Sequence, residues 1–350
     1  MIILSHPTAN QNVRQTALAL AQAKLLAEFW TCVNWREGGL LDRSLGLAGR
    51  VRSELRRRSF PVELAPFLRT HAWREWGRQF AGQLGWSSLT QSEQAPFSVD
   101  AVYLALDQRV ARRLATATNV DAVYAYDAGA LATFRAAKAR GLKCIYEHPI
   151  VYWRKVRELQ SEEAELKPEW APTLGALADS AAKLERKDEE LALADLVVTA
   201  STFSKESLAA AGTLRAPVRV VPYGTNSSGK ARAPNEALKR PRVLFVGALT
   251  QAKGLAYLFD AIARLADTVD FTLIGRRVSE SVPSPALLNK YRWIPSLPHS
   301  ELLAEMARHD VLVLPALHEG FGLVVSEAMS QGLVVITTPH TAGPDLITAD

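Results

Sequence analysis

Glu319 and Glu327 bracket seven residues, Gly320-Phe321-Gly322-Leu323-Val324-Val325-Ser326, in a stretch that follows the apolar run Val311–Leu314. That order predicts a buried strand, a glycine-containing loop and then a helix. With the helix starting near Gly322, Glu319 sits on the loop at the positive end, and Glu327 lies about 7 Å further along the axis at 1.5 Å per residue. Leu323 and Glu327 then share a face. Glycines at 320 and 322 let a ligand approach the backbone closely, and the unpaired first-turn N–H groups together with the helix dipole favour a phosphate there. A diphosphate suits this place. One carboxylate can accept hydroxyl hydrogen bonds from a sugar and the other from the paired hydroxyls of a ribose. Taken alone, two such glutamates also read as a loop charge and a solvated helix carboxylate; the glycines, the preceding strand and Lys253 favour a ligand site.

The elements that must position these residues repeat one rhythm. Short β-rich apolar runs alternate with helical patterns, which is the signature of parallel sheets joined by crossover helices, so the chain is α/β. In the first half, strands are expected at Ile2–Ser5, Ala122–Tyr126, Lys143–Glu147, Leu196–Ala200 and Arg219–Val221, with helices at Val13–Leu26 and Ala130–Ala139; the interval from Arg36 to Val120 is less legible. Thr225 to Pro241 contains Asn-Ser-Ser-Gly-Lys and two prolines with no apolar period, which reads as a linker. The expected organisation is therefore an N-terminal domain over 1–225, a linker over 226–241 and a C-terminal domain over 242–350. The latter restarts the rhythm: strand Val243–Val246, helix Leu255–Leu265, strand Phe271–Ile274, helix Glu301–Ala307, strand Val311–Leu314, helix near Leu323–Met329 and strand Val334–Thr337. Two doubly wound domains facing each other place their strand-end loops across a cleft, where open parallel sheets bind ligands.

At Glu319–Met329 the chain resembles the fourth glycosyltransferase sequence family, whose signature sets two glutamates at this spacing in EGFGL…EAM…G. Further segments carry the likeness: RVLFVGALTQAKGLAYLFDAI, with Gly247 closing the strand and Lys253 at the family's phosphate-binding lysine; EELALADLVVTASTFSKESL; and VRVVPYGTN. The likeness runs over roughly Asp188 to Ile347. It implies a GT-B architecture of two Rossmann-like domains, the second binding a nucleotide sugar, and retaining, metal-independent glycosyl transfer to a glycan or lipid-linked acceptor. Carried over, Glu319 holds hydroxyls of the transferred sugar, Glu327 the ribose and Lys253 the diphosphate. The backbone of Gly320, Phe321, Gly322 and Leu323 lines the phosphate and sugar. No Asp-x-Asp motif offers a divalent ion a hold on the diphosphate, and neither metal nor cofactor is expected.

Ala248 stands where many members carry an arginine, so a second phosphate cation is sought at Arg276 or Arg277. The resemblance also puts a histidine beside the reacting carbon after the fifth strand, which points to His148 as a catalytic residue. A strand-end histidine bonded to backbone is the plainer reading. Asp127, at the end of another strand, and Asn10, in the loop after the first, also face the expected cleft; helix capping explains Asp127 equally well. The family's C-terminal domain continues past the GPDLI-like stretch, so the domain is expected to be incomplete here. Two rival readings are a GT-B nucleotide-sugar epimerase or hydrolase, and a non-catalytic donor-binding homologue. A dehydrogenase is disfavoured because no first strand is followed by GxGxxG, and GALTQAKG is not the GxxxxGK[ST] of a nucleotide triphosphatase.

The net charge of +5 is unevenly spread: between Arg50 and Arg78 eight arginines face three glutamates, and the remainder is balanced. A confined basic patch suggests an anionic surface such as lipid headgroups, and not nucleic acid. Trp73, Trp76, Phe80 and Leu84 recur at helical spacing within it. They read either as the buried face of a helix or, with the interleaved arginines, as a surface helix resting on anionic lipid. The two cysteines, Cys32 and Cys144, lack metal or CxxC spacing and are expected to be buried, reduced thiols. With no apolar run long enough to cross a bilayer and no basic leader, the expected location is the cytoplasm, peripherally at the inner membrane face.

Overall fold

The structure, a computed structural model, describes residues 1–35, 59–225, 240–265 and 268–347. The expected linker and the arginines at 50, 52, 56, 57 and 58 fall outside them, apart from residues 240 and 241. Two compact units divide the chain, and they interleave. One comprises Met1–His148, Asp179–Val198 and Leu214–Val218; the other comprises Pro149–Ala178, Thr199–Thr213 and Arg219–Asp350.

The first unit is built on a sheet whose strands are β1 (Ile2–Ser5), β2 (Leu26–Thr31), β3 (Leu68–Thr70), β4 (Ala122–Tyr126), β5 (Lys143–His148), β6 (Leu196–Thr199) and β7 (Val218–Val220). Their order is β3-β2-β1-β4-β5-β6-β7, and β1 to β5 pair in parallel. Leu4, Phe29 and Val123 are buried, as expected for strands covered on both faces. The first helix is Gln11–Gln22, shorter than expected. Asn10 caps its start by accepting from the Val13 amide. At its end Lys24 adopts a left-handed φ of 57° while the Leu25 amide reaches back to the Leu20 carbonyl. That closure stops the helix and frees Leu26 to open β2.

The second unit carries β8 (Arg242–Val246), β9 (Asp270–Ile274), β10 (Arg292–Ile294), β11 (Val311–Leu314) and β12 (Val334–Thr337). They form a parallel sheet in the order β10-β9-β8-β11-β12. Its core gathers Phe245, Leu255, Phe259, Leu273, Leu314 and Val325, with Trp170 packed in from an earlier part of the chain. In both sheets the order reverses after the first strand, at β1/β4 and at β8/β11. Such switch points splay the loops that leave the carboxyl ends of the two strands, and ligands bind in the crevice between them. Cys32 and Cys144 are buried and not joined in a disulfide. Among the described residues no helix is long and apolar enough to cross a membrane.

Candidate functional site

In the second unit the switch point is flanked by the loop leaving β8, which carries Gly247 to Lys253, and the loop leaving β11, which carries Glu319 to Gly322. The sequence separates Lys253 from Glu319 by more than sixty residues, yet the fold pairs the ammonium directly with the carboxylate. Burial pushes the Lys253 ammonium down to about 8, while a carboxylate so close favours the charged form. Lys253 also lies against Gly247: a Cβ on Gly247 would stand 3.9 Å from Lys253 Cγ. Leu249 donates to the Arg276 carbonyl at 2.9 Å, and Ala248, Arg276, Arg277 and Val278 line a cavity of about 410 Å³. The two arginines sought to replace a cation at Ala248 are thus its neighbours in space.

The lysine is placed by a buried network. It ends a short 3-10 turn, Gln251–Lys253. The fully buried Gln251 donates from Nε2 to Glu163 at 2.7 Å, accepts from the Ala256 amide at 2.8 Å, and passes its own amide to Thr173 Oγ1 at 2.9 Å. Glu163 also accepts from the Tyr257 hydroxyl at 3.0 Å. After the turn Gly254, at φ 70°, starts the helix Leu255–Arg264, and a Cβ there would meet the Pro315 carbonyl at 2.0 Å. Gly275 has a similar role: a Cβ would lie 1.7 Å from the Gly247 oxygen. Sequence reasoning missed Gln251, Glu163 and Gly275. For the first two no signal exists short of knowing the contact, but a glycine directly after an apolar strand was visible at 275.

The loop after β11 is held from several sides. Glu319 donates its amide to the His340 carbonyl at 2.8 Å. Ser201 and Ser204 both donate to the Gly320 carbonyl, at 2.6 and 2.9 Å, and a Cβ on Gly320 would stand 2.0 Å from the Pro149 oxygen. The glycine at 320 is therefore required by backbone packing within the unit rather than by room for a ligand. Gly322 is required by its left-handed φ of 81° at the head of the helix Leu323–Ser330. The Phe321 side chain is buried with Ala200 and Ala342 and meets Tyr223 edge-on at 5.3 Å, so it anchors the loop and leaves only its backbone to a ligand. Glu327 lies one turn into the helix and bonds His299 Nε2 at 2.9 Å, a partner the sequence did not suggest. Nearby, His318 is pushed down to about 4 by burial and then by Lys253 and His340, and its Nε2 meets the Gln160 amide at 2.9 Å.

The remaining candidates belong to the first unit. Asn10 is the helix cap described above. Asp127 and His148 meet, Nδ1 to Oδ1 at 3.4 Å; Asp127 also takes the Tyr146 hydroxyl at 2.7 Å and faces Lys187 Nζ at 3.3 Å. Burial would raise the Asp127 carboxyl, but Lys187, His148 and Tyr146 together hold it well below the usual range. His148 is 3% exposed and stacks on Tyr146. Next to them Glu190 accepts from the amides of Ala128, Ala130 and Leu131, and burial followed by Asp127 pushes it up to about 8. The first-turn amides of the helix Leu131–Ala139 go not to Asp127 but to Glu190, which takes Leu131, and to Asp107, which takes Ala132 at 2.7 Å and Thr133 at 2.8 Å.

Two doubly wound parallel-sheet units in one chain define the GT-B class of fold. Residues 240–350 match the family model for Glycosyl transferases group 1. A glycogen synthase of Mycobacterium tuberculosis is 33% identical over 126 residues, which is 32% of this chain and 30% of that protein. The MMP alpha-(1->4)-mannosyltransferase of Mycolicibacterium hassiacum is 29% identical over 142 residues, 37% of this chain and 34% of its own. The chain spans less than half the length of the curated relatives it matches. Among solved structures, Anabaena HepE in complex with UDP and glucose superposes with a TM-score of 0.58 at 16% identity, over 99% of this chain and 83% of that one. This last likeness is one of fold.

Proposed function

We propose that this chain transfers a glycosyl group from a nucleotide diphosphate sugar to a glycan or lipid-linked acceptor, with retention of configuration and without a metal ion. The observation that carries this reading is the convergence of Lys253, Glu319 and the start of the helix Leu323–Ser330 at the β8/β11 switch point. The named activities of the glycogen synthase and the mannosyltransferase support glycosyl transfer, and the UDP in the HepE complex supports a nucleotide donor.

In this reading Lys253 and the first-turn amides meet the diphosphate, Arg276 and Arg277 supply further positive charge beside Ala248, and Glu327 holds the ribose hydroxyls. Glu319 leaves Lys253 to the phosphate and takes hydroxyls of the sugar. As the bond from the anomeric carbon to the diphosphate oxygen breaks, the acceptor oxygen bonds that carbon from the same face and its proton passes to the departing phosphate. The lysine and the helix amides stabilise the charge that develops on the leaving group. By the resemblance His148, which pairs with Asp127 within the first unit, is the catalytic histidine.

A panel of UDP-, GDP- and ADP-sugars in a thermal-shift assay, with and without EDTA, tests the donor. A ligand at 100 times its dissociation constant adds about 2.7 kcal/mol of apparent stability, and that gain is expected to survive EDTA. Strict dependence on added manganese or magnesium would sink the metal-independent mechanism. Release of free sugar at the same rate with and without any acceptor would replace transfer by hydrolysis.

A further inference from the structure

The helix Trp73–Gln83 of the first unit has its polarity reversed. It buries Glu75 and Ala81, while Trp73, Trp76 and Phe80, with Leu84 and Trp86 after them, are each between 39% and 60% exposed. The acid is tolerated inside because Arg78 grips it twice at 2.8 Å and Gln79 adds a bond at 3.0 Å. Of the two readings open for this row, the buried face is thus the wrong one. The outward rings are ordered: Phe80 meets Trp86 edge-on at 6.1 Å, and the Arg74 guanidinium lies over Trp73 at 4.5 Å.

Beside Trp73 opens a cavity of about 590 Å³ whose wall includes His71, Arg74, Glu93 and Arg112. Burial, and after it Arg109, Arg112 and Arg74, depress the His71 imidazole, so positive potential gathers there. The one carboxylate named on that wall, Glu93, is tied to the Ser180 hydroxyl at 2.6 Å and to its amide at 3.2 Å, contacts that hold it below its usual range and keep it charged, but Arg74 and Arg112 outnumber it there. Among the described residues Arg69, Arg74, Arg109 and Arg112 form no ion pair.

We propose that this face docks on an anionic phospholipid surface, with the aromatic row lying in the interfacial layer and His71, Arg74 and Arg112 taking a lipid phosphate in the cavity. Tryptophan favours the headgroup level, where its ring is apolar and its N–H is wet, and arginine beside it is drawn to anionic lipid. A second copy of this chain is a poor occupant, since a two-fold contact through this patch sets arginine against arginine. The proposal is independent of the donor site, because every residue in it belongs to the other unit.

Flotation of the full chain with vesicles of phosphatidylcholine, alone or mixed with phosphatidylglycerol, tests it. Binding is expected to the mixed vesicles at low salt and to weaken as salt rises. Arg74→Gln with Arg112→Gln should lower partitioning by about thirtyfold, since each arginine near the surface is worth roughly fivefold. Trp76→Ser with Phe80→Ser should reduce binding while leaving the melting temperature in place. Brominated lipid should quench the wild-type tryptophan emission, a readout that needs no variant. The proposal is overturned if the wild type ignores mixed vesicles at low salt, if neutral vesicles bind as well, or if brominated lipid quenches nothing. It is equally overturned if both double variants bind like the wild type, or if the aromatic pair turns a dimer into a monomer in the absence of lipid.

Discussion

The two glutamates should fail differently when changed. Glu327→Gln weakens acceptance of two ribose hydroxyls; a charge-assisted hydrogen bond is worth about 1.5–3 kcal/mol, so nucleoside diphosphate affinity should fall by up to the order of a hundredfold. Glu319→Gln should not weaken that ligand, because it removes the carboxylate that pairs with Lys253, but turnover should drop as the sugar loses its anchor. Calorimetric titration of both variants with the diphosphate and with the intact donor separates these outcomes, and equal losses throughout would refute the division. A second contrast lies between glycines. Gly320→Ala forces a methyl into the Pro149 carbonyl and should cost about 1–3 kcal/mol, as overpacking does. Gly82→Ala meets nothing within 4 Å and, at a helical position, should gain about 0.5–1 kcal/mol. Melting curves that rank the two the other way would contradict the packing described.

At the scale of elements, the network around Gln251 positions the phosphate lysine without touching a ligand. Gln251→Ala takes a donor from Glu163 and an acceptor from the Ala256 amide, and the turn that ends in Lys253 should loosen. Diphosphate affinity is expected to fall about tenfold, near the 1–3 kcal/mol of a broken buried hydrogen bond, whereas a merely structural role would lower the melting temperature and spare affinity. The elements themselves were legible where the chain alternates cleanly: β1, β4, β11 and β12 occupy the residues expected, and β8 and β9 each begin one residue early. The first helix was overextended into β2 because Leu25 and Leu26 continue its apolar period; the left-handed Lys24 that ends it has no signature of its own. β3 and β10 escaped notice because three-residue strands, Leu68–Thr70 and Arg292–Ile294, carry too little alternation. In the site, Glu319, Glu327 and Lys253 were readable because glycines and a preceding strand mark them. Glu163 and His299 were not, since a buried or half-exposed partner from a distant helix leaves no local pattern.

For the whole molecule, the buried histidines set an acid limit. His6 in the first unit and His318 in the second are both pushed down to about 4, chiefly by burial. Their neutral forms favour the folded state above the unfolded value of about 6.5, and that contribution is lost as pH falls from there towards 4. Each adds a slope of about 1.4 kcal/mol per pH unit across the window. Melting followed from pH 7 to 4 should show this decline, and His318→Gln should flatten it; a flat wild-type profile would refute the assignment. The interleaving of the units bears, finally, on the order in which the chain is made. The first unit ends at Val218 and the last strand of its sheet at Val220, so that unit has all its parts once the ribosome passes this point. The second must wait, because Glu163, Thr173, Ser201 and Ser204 emerge well before the Gln251 turn and the Gly320 carbonyl they will hold. During that interval these segments are exposed to wrong partners, and residues 240–350 expressed alone would never meet them.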